Sequence, residues 1–328
     1  MSIQFSLKVI SNIRHWLSPL KVWYYSLMPP KKLADKDYKK FMHSDKGINW
    51  NNPHDLIEKI YWLQLYTDTT LWTLCADKYN VRFFLKERGC SKYLNELFGV
   101  WTSEKEIDWN KLPSSFVLKV NNGCGDTILV KDKSKINTEE IKAILHRNLK
   151  IKYGYSNAQI HYTHIKPCII AEKLLENQDN PNESMVDYKI WCINGEPKFI
   201  LVVSNRTKAG YHLNVFDLKW NNINHLAFDK TSKHYSPINI SRPQSLNEMI
   251  NVAGKLANGF PQVRIDFYEY DNKPIFGEMT FTTGYGYWTR EFYNNIGDMI
   301  DISKIETMSK INRVAKYRIF SRKYEESK

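Results

Sequence analysis

The sequence predicts an α+β fold whose sheets are mostly antiparallel. Two observations carry that prediction. Apolar residues recur at helical spacing between residues 51 and 99, and from Phe116 onward they alternate in short runs divided by turn residues. A third observation is size: at 328 residues and 38.8 kDa, 42% apolar and 14% aromatic, the chain can bury a large core in one to three domains.

Taken in order, the first region holds helices. Leu56, Ile60 and Leu63 fall on one helical face, and Val81, Phe84 and Leu85 precede a stop at Gly89. The alternating runs Phe116–Val120, Thr127–Val130, Cys168–Leu175, Val186–Ile193, Lys198–Ser204, Val263–Tyr270 and Pro274–Phe281 read as strands. Thr138 is placed to cap a helix with Ile141, Ile144 and Leu145 on one face, and Ser245 with Glu248 forms a capping box ahead of Met249, Val252, Ala253 and Leu256. Asn194-Gly195 signals a hairpin turn, and the Asn-, Asp- and Pro-rich stretches Asn177–Glu183 and Asn221–Pro243 read as loops or lids. The sequence holds no internal repeat and no low-complexity tract.

The formal charge of +12 is uneven. Residues 1–50 hold nine Lys/Arg against three Asp and residues 301–328 hold eight against four acids, which leaves about +2 for the middle. A nucleic-acid protein concentrates basic charge where it binds, so a nearly neutral body with basic ends argues against nucleic acid as partner. An anionic membrane surface, such as the inner face of the cell membrane, would suit the basic termini as well as RNA would. The stretch from Ile3 to Met28 is apolar and aromatic but interrupted by Lys8, Arg14, Pro19 and Lys21, and no small-residue cleavage site follows; it reads either as a helix pair packed on the body or as an interfacial amphipathic segment. No apolar run approaches the roughly 18 to 20 residues of a membrane span. Cys75, Cys90, Cys124, Cys168 and Cys192 are odd in number and far apart, which implies a reducing, cytoplasmic location. His161 and His164 lack metal-ligand spacing and read as surface or core residues.

The sharpest chemical signal is VRIDFYEYDNKPIFGEMTF, residues 263–281. Alternation turns Val263, Ile265 and Phe267 one way and Arg264 and Asp266 the other. A three-residue loop Asp271-Asn272-Lys273 would pair Tyr270 with Pro274, Asp266 with Glu278 and Arg264 with Thr280. Two carboxylates facing each other destabilise a sheet unless a cation sits between them, and hard oxygen ligands favour magnesium, which takes further ligands from phosphates and water. A two-residue loop would instead slip the register and separate the acids onto a solvated face. Both registers are open at this level.

A second signal is FVLKVNNGCGDTILV, residues 116–130, a strand, a glycine-bearing loop and a strand. Gly123 and Gly125 permit close approach of backbone N–H groups to phosphate, and Lys119 supplies charge, although a short glycine hairpin can equally be just a turn. In a third segment, IIAEKLL at 169–175, a strand ends at Glu172, and the next strand carries Asp187 and Lys189 on one face. This fits adenine against backbone and an acid against ribose, or a core strand followed by a surface acid.

The order of these pieces resembles the ATP-grasp enzymes, and within them the TupA-like group associated with teichuronopeptide and other surface-polysaccharide synthesis. The matching segments are ADKYNVRFF (76–84), LPSSFVLKVNNGCGDTILV (112–130), IIAEKLL (169–175), VDYKIWCINGEPKFI (186–200) and EMINVAGKLANGFPQVRIDFYEYDNKPIFGEMTFTTGYG (248–286). The resemblance implies two α+β subdomains clamping ATP, with a helical region over residues 1–75, an ATP-grasp domain over 76–305 and a basic tail over 306–328. Within that domain it implies a nucleotide-binding part at about 110–175 and a catalytic, metal-binding part at about 176–305. It implies Lys78 and Lys119 on the ATP phosphates beneath the loop holding Asn122, Gly123 and Gly125, and Glu172, Lys173 and Leu175 at the adenine. Asp187 would meet the ribose and Lys189 a phosphate. Asp266 and Glu278 would ligate Mg2+, and Arg264 would steady an acyl phosphate and its oxyanion. Many ATP-grasp enzymes carry Asn two residues after the second metal acid; here that place is Thr280, a weaker ligand. The implied activity joins a carboxylate-bearing sugar, such as a uronic acid, to an amine. The alternative is an ATP-grasp kinase that stops at phosphoryl transfer.

Overall fold

The computed structural model describes residues 19–309, apart from 124, 126, 179, 181, 182, 208, 209 and 233–239. Most of the Ile3–Met28 segment and nearly all of the C-terminal tail lie outside the described residues, as do Cys124 and Asp126 of the glycine loop.

Two helices lead the described chain, α1 (Pro19–Leu27) and α2 (Pro30–Phe41). Pro30 opens α2 at a position where a missing N–H is no loss. The helical spacing that follows becomes α3 (Leu56–Tyr66), α4 (Thr70–Ala76) and α5 (Val81–Glu87). Asp55 caps α3 by accepting from the backbone N–H groups of Ile57 and Glu58, and α5 is followed by Gly89 at φ +67°.

Among the described residues nine strands form two sheets, and every pairing between them is antiparallel. The first holds β1 (Leu97–Trp101), β2 (Phe116–Val120), β3 (Ile128–Val130) and β4 (Ile169–Glu172) in the order β1-β4-β2-β3. Helix α6 (Thr138–Leu149) seats Ile141, Ile144 and Leu145 against it, beside Phe116, Leu118, Ile128 and Val130. The second holds β5 (Asp187–Ile193), β6 (Glu196–Ser204), β7 (His212–Phe216), β8 (Gln262–Tyr270) and β9 (Lys273–Thr280) in the order β7-β6-β5-β8-β9. The chain between β7 and β8 carries α7 (Asn224–Ala227) and α8 (Leu246–Ala257), and α9 (Arg290–Asp298) follows β9.

Alternation on the second sheet decides what covers each face. Ile190, Cys192, Val263, Ile265 and Phe267 pack with α8 and with residues of α4 and α5. Trp191, Ile193, Leu201 and Val203 pack on the other side with α2, α3 and α9. Asp187 and Lys189 share the second face with Trp191, and across the ladder Lys189 pairs with Asp266 and Trp191 with Arg264. A charged cluster therefore continues an apolar face.

The structure corrects several expectations. Strands β1 and β7 were not legible: β1 is half-buried along its whole length and so lacks alternation, and Asn214 of β7 is buried because Asn224 donates to its side chain. The helix cap placed at Thr138 is Asn137, which accepts from Glu139 and Glu140 N–H. Ser245 and Glu248 form no capping box. The Ser245 hydroxyl and N–H both donate to Glu269, while Glu248 accepts from Lys92 and Tyr93. The run begun at Cys168 ends as a strand at Glu172, not Leu175, and the stretch expected as loop from Asn221 holds the short α7.

The β8–β9 turn is also shorter than the loop that would pair the acids. Tyr270 pairs with Lys273, not Pro274, leaving Asp271 and Asn272 as a two-residue turn with φ of +52° and +56°. A register shift between Asp266 and Phe267 then makes up the missing residue: Phe267 faces Phe276, Asp266 faces Glu278, and Gly277 is the extra residue of a β-bulge. The acids meet through a bulge where the sequence suggested a longer loop.

Candidate active site

The bulge brings Glu278 opposite Asp266, and β5 brings Lys189 opposite it on the other side. Arg264, two residues along β8 and on the same face, binds the pair. Its Nε donates to Asp266 Oδ1 at 2.7 Å, and its Nη2 donates to Asp266 Oδ2 at 2.8 Å, Thr280 Oγ1 at 3.0 Å and Glu278 Oε1 at 3.2 Å. Nη1 donates to Thr283 Oγ1 at 2.9 Å, and Thr280 donates in turn to Glu278 at 3.2 Å. Lys189 Nζ donates to Asp266 Oδ2 and lies 3.5 Å from Asp187, which also accepts from Arg206 at 2.8 Å. Three acids, Asp187, Asp266 and Glu278, thus meet three cations, Lys189, Arg206 and Arg264.

Burial alone would raise the Asp266 pKa, but Arg264 and Lys189 outweigh it and hold the carboxyl at about 2. Burial would lower Lys189; Asp187 and Asp266 reverse that and raise it. Asp187 also pushes the Tyr268 hydroxyl, which hydrogen-bonds to it, well above the usual phenol range. Lys189 and Asp266 are thereby both held charged at neutral pH.

On the first sheet, Glu172 closes β4 opposite Val117. Lys119 Nζ lies 2.7 Å from its Oε2 and Arg82 Nη1 3.3 Å from its Oε1, so β2 and α5 each send one cation to one acid. Lys78 Nζ donates to the carbonyl of Gly123 and its N–H to Asn121, which ties the start of the ADK segment to the glycine loop. Asn122 is buried, and Gly125 sits at φ +85°, a conformation that favours glycine. After Glu172 the chain turns outward: Lys173 donates its N–H to Glu96 and holds its ammonium 5.3 Å from the Tyr270 ring, while Leu175 is half-buried. Gln178 then bonds Asp271, so the strand-to-strand connection crosses the tip of the β8–β9 hairpin.

The residues named from sequence therefore form two groups, Lys78, Lys119, Glu172 and the glycine loop on the first sheet, and Asp187, Lys189, Arg264, Asp266, Glu278 and Thr280 on the second. Arg82 and Arg206 join them without having been singled out; the backbone around Thr283–Gly286 was expected as a donor to the oxyanion, but the contact of the Thr283 hydroxyl with Arg264 was not. Arg82 lies in the ADKYNVRFF segment, which gave a usable signal; Arg206 lies in an irregular loop and gave none.

A family model described as TupA-like ATPgrasp matches residues 58–301, about three quarters of the chain. The chain belongs to the TupA-like ATP-grasp family. That membership carries the ATP-grasp α+β fold and an ATP-grasp ligase domain, with ATP and Mg2+ as the nucleotide and metal of the fold. Among solved structures, the chain is similar to an L-amino acid ligase from Bacillus licheniformis at 18% identity, over 66% of this chain and 44% of that one, with a TM-score of 0.39. It is similar to D-alanine–D-alanine ligase from Bacillus anthracis complexed with ATP at 12% identity, over 77% and 68%, TM-score 0.39. It is similar also to a RimK domain ATP-grasp protein from Sphaerobacter thermophilus at 11% identity, over 71% and 69%, TM-score 0.39. The chain thus spans less than half the length of the first of these and just over two thirds of the other two. No curated protein matches the sequence.

The TupA-like chain has a donor set that fits magnesium. Asp266 and Glu278 offer hard carboxylate oxygens from adjacent strands. Asp266 is 2% exposed and gives both oxygens to cations, whereas the Glu278 side chain is 39% exposed and turns only Oε1 to Arg264 and Thr280. Among the described residues, no group of three or more His, Cys, Asp or Glu is arranged to hold a metal ion. Two protein carboxylates with the rest from phosphate and water is the usual arrangement for magnesium beside a nucleotide.

Proposed function

We propose that this protein is a carboxylate–amine ligase that phosphorylates a carboxylate on a sugar of a surface polysaccharide, a uronic acid being the simplest such group, and couples it to an amine. The observation that carries this reading is the Arg264 fork, which shares one sheet face with Asp266, Glu278, Thr280 and Lys189. A planar guanidinium with several donors suits a carboxylate becoming an acyl phosphate better than an alcohol.

In this reading Lys78 and Lys119, with the backbone of the glycine loop, hold the ATP phosphates, and residues 172–175 receive adenine. Lys119 would exchange Glu172 for phosphate as the nucleotide enters. Asp187 meets the ribose and Lys189 turns from the acids to the γ-phosphate. Glu278 and Asp266, with Thr280 at the margin, would hold magnesium, which would supply charge neutralisation on the triphosphate. The substrate carboxylate oxygen attacks the γ-phosphorus and ADP leaves. The amine then attacks the acyl carbon, the C–O bond to phosphate breaks, and inorganic phosphate departs with the former carboxylate oxygen. Arg264 stabilises the oxyanion of that second step.

A screen of uronic-acid donors against amino acids and simple amines, reading ADP release and product mass together, tests the proposal. ADP release that requires both donor and amine, with an amide product, supports it. A phosphorylated alcohol without amide would assign the chain to the kinases.

A further inference from the structure

We propose that the outer face of α1 and α2 is a docking surface for an anionic lipid bilayer. Helix α2 carries Lys31, Lys32, Lys36, Lys39 and Lys40, and Lys32, Lys36, Lys39 and Lys40 follow one another at helical spacing on its solvent side. With Asp35 they line an open groove of about 580 Å³. Asp35 is turned to the Ile48 N–H and Trp50 Nε1, and Asp37 lies near Lys36 and Lys40, so the helix sets five lysines against two acids and keeps a net positive charge. Leu33, Ala34, Tyr38 and Met42 point inward and bury in the core, which fixes the outward direction of the lysines.

Helix α1 lies beside this row. Lys36 donates to the Tyr25 hydroxyl at 2.9 Å and sits 4.7 Å from its ring. Next to that contact, Trp23, Tyr24 and Leu27 are 61%, 58% and 64% exposed, and their spacing places them on one side of the helix. The chain has no acidic residue before Asp35. A free polyanion would use the lysines and leave the aromatic ridge in water. A bilayer interface uses both, taking indole, phenol and leucine side chains into the headgroup boundary while anionic headgroups face the ammonium row.

The test is co-sedimentation of the full chain with vesicles of phosphatidylcholine alone or mixed with phosphatidylglycerol, with heparin binding measured in parallel. Binding is expected only to the mixed vesicles and should fall as salt rises. Replacing Lys32, Lys36, Lys39 and Lys40 together by Gln should lower partitioning on the order of 10²-fold, and the same four changes to Arg should restore it. Trp23→Ser with Leu27→Ser should lower it by at least about tenfold while leaving heparin binding unchanged. All these side chains lie on the outer surface, so thermal unfolding should match the wild type. The proposal is overturned if mixed vesicles are not bound, or if both sets of variants bind as well as the wild type. It is overturned equally if the lysine variant loses vesicles and heparin alike while the Trp23 and Leu27 variant keeps both, which would mark a polyanion site.

Discussion

Asp266 and Glu278 occupy paired positions yet answer to different physics. Asp266 is buried between Arg264 and Lys189, so Asp266→Asn removes the carboxylate nearest to both cations, leaves them only the longer contacts to Glu278 and Asp187, and should destabilise the fold by about 3–5 kcal/mol as well as stop turnover. Glu278→Gln removes charge from a side chain that is partly in water, and should abolish ADP release with the denaturation midpoint little changed. Near wild-type turnover of Glu278→Gln at ordinary magnesium would remove it from the metal site. Asp266 also contributes to the acid limb of stability. Because the folded Asp266 pKa is depressed from 3.8 to about 2, its contribution is fully present above 3.8 and is lost as pH falls through about 2. Denaturant titrations across that window should slope less steeply in Asp266→Asn than in the wild type. At Arg264, Lys keeps the charge but loses the fork that reaches Asp266, Glu278, Thr280 and Thr283; amide formation should fall 10²- to 10³-fold with ATP affinity little altered, measured on the purified variant. These residue types were legible in the sequence because alternation alone puts Arg264 and Asp266 on one face. Arg206 was not, since its approach to Asp187 depends on a loop with no periodicity.

The β8–β9 hairpin is the element on which that site depends. Its pairing of Asp266 with Glu278 was one of two registers the sequence allowed, and the route to it was hidden. Asp271 and Asn272 both take positive φ and so close a two-residue turn, which by itself would send Glu278 to the core face. Gly277 reverses that by bulging. A Cβ there would stand 3.1 Å from the Asp266 carbonyl oxygen, tighter than ordinary contact. Gly277→Val should therefore open the bulge, cost about 1–3 kcal/mol, and reduce ADP release far more than a comparable change at the turn. If Gly277→Val retains wild-type turnover, the bulge does not set the acid pair. Turn length and bulge are one-residue decisions, and no hydrophobic period records them; β1 and β7 escaped detection for a related reason, having no alternation to read.

At the scale of the whole chain, the region matched by the family, 58–301, does not hold all of its own core. Leu33, Ala34 and Tyr38 of α2 and Met42 just after it pack with Trp191, Phe292 and Tyr293, and Arg290 reaches the Tyr38 hydroxyl, Asp55 and the Met42 carbonyl. The inner face of α2 thus serves the fold, and among the described residues no helix is long and apolar enough to cross a membrane. Removing residues 1–44 should expose this side of the second sheet and lower the unfolding temperature by several degrees, checked by calorimetry; an unchanged transition would make α2 an appendage. The class and the order along the chain of the candidate site segments were readable from sequence, whereas this dependence was not, because α2 is too polar on average to announce a buried face. The central claim, a carboxylate activated through an acyl phosphate, is tested most directly by a donor carrying 18O in its carboxylate. The account predicts one 18O in the inorganic phosphate released with each amide. Unlabelled inorganic phosphate, or phosphate retained as an ester on the donor, would contradict it.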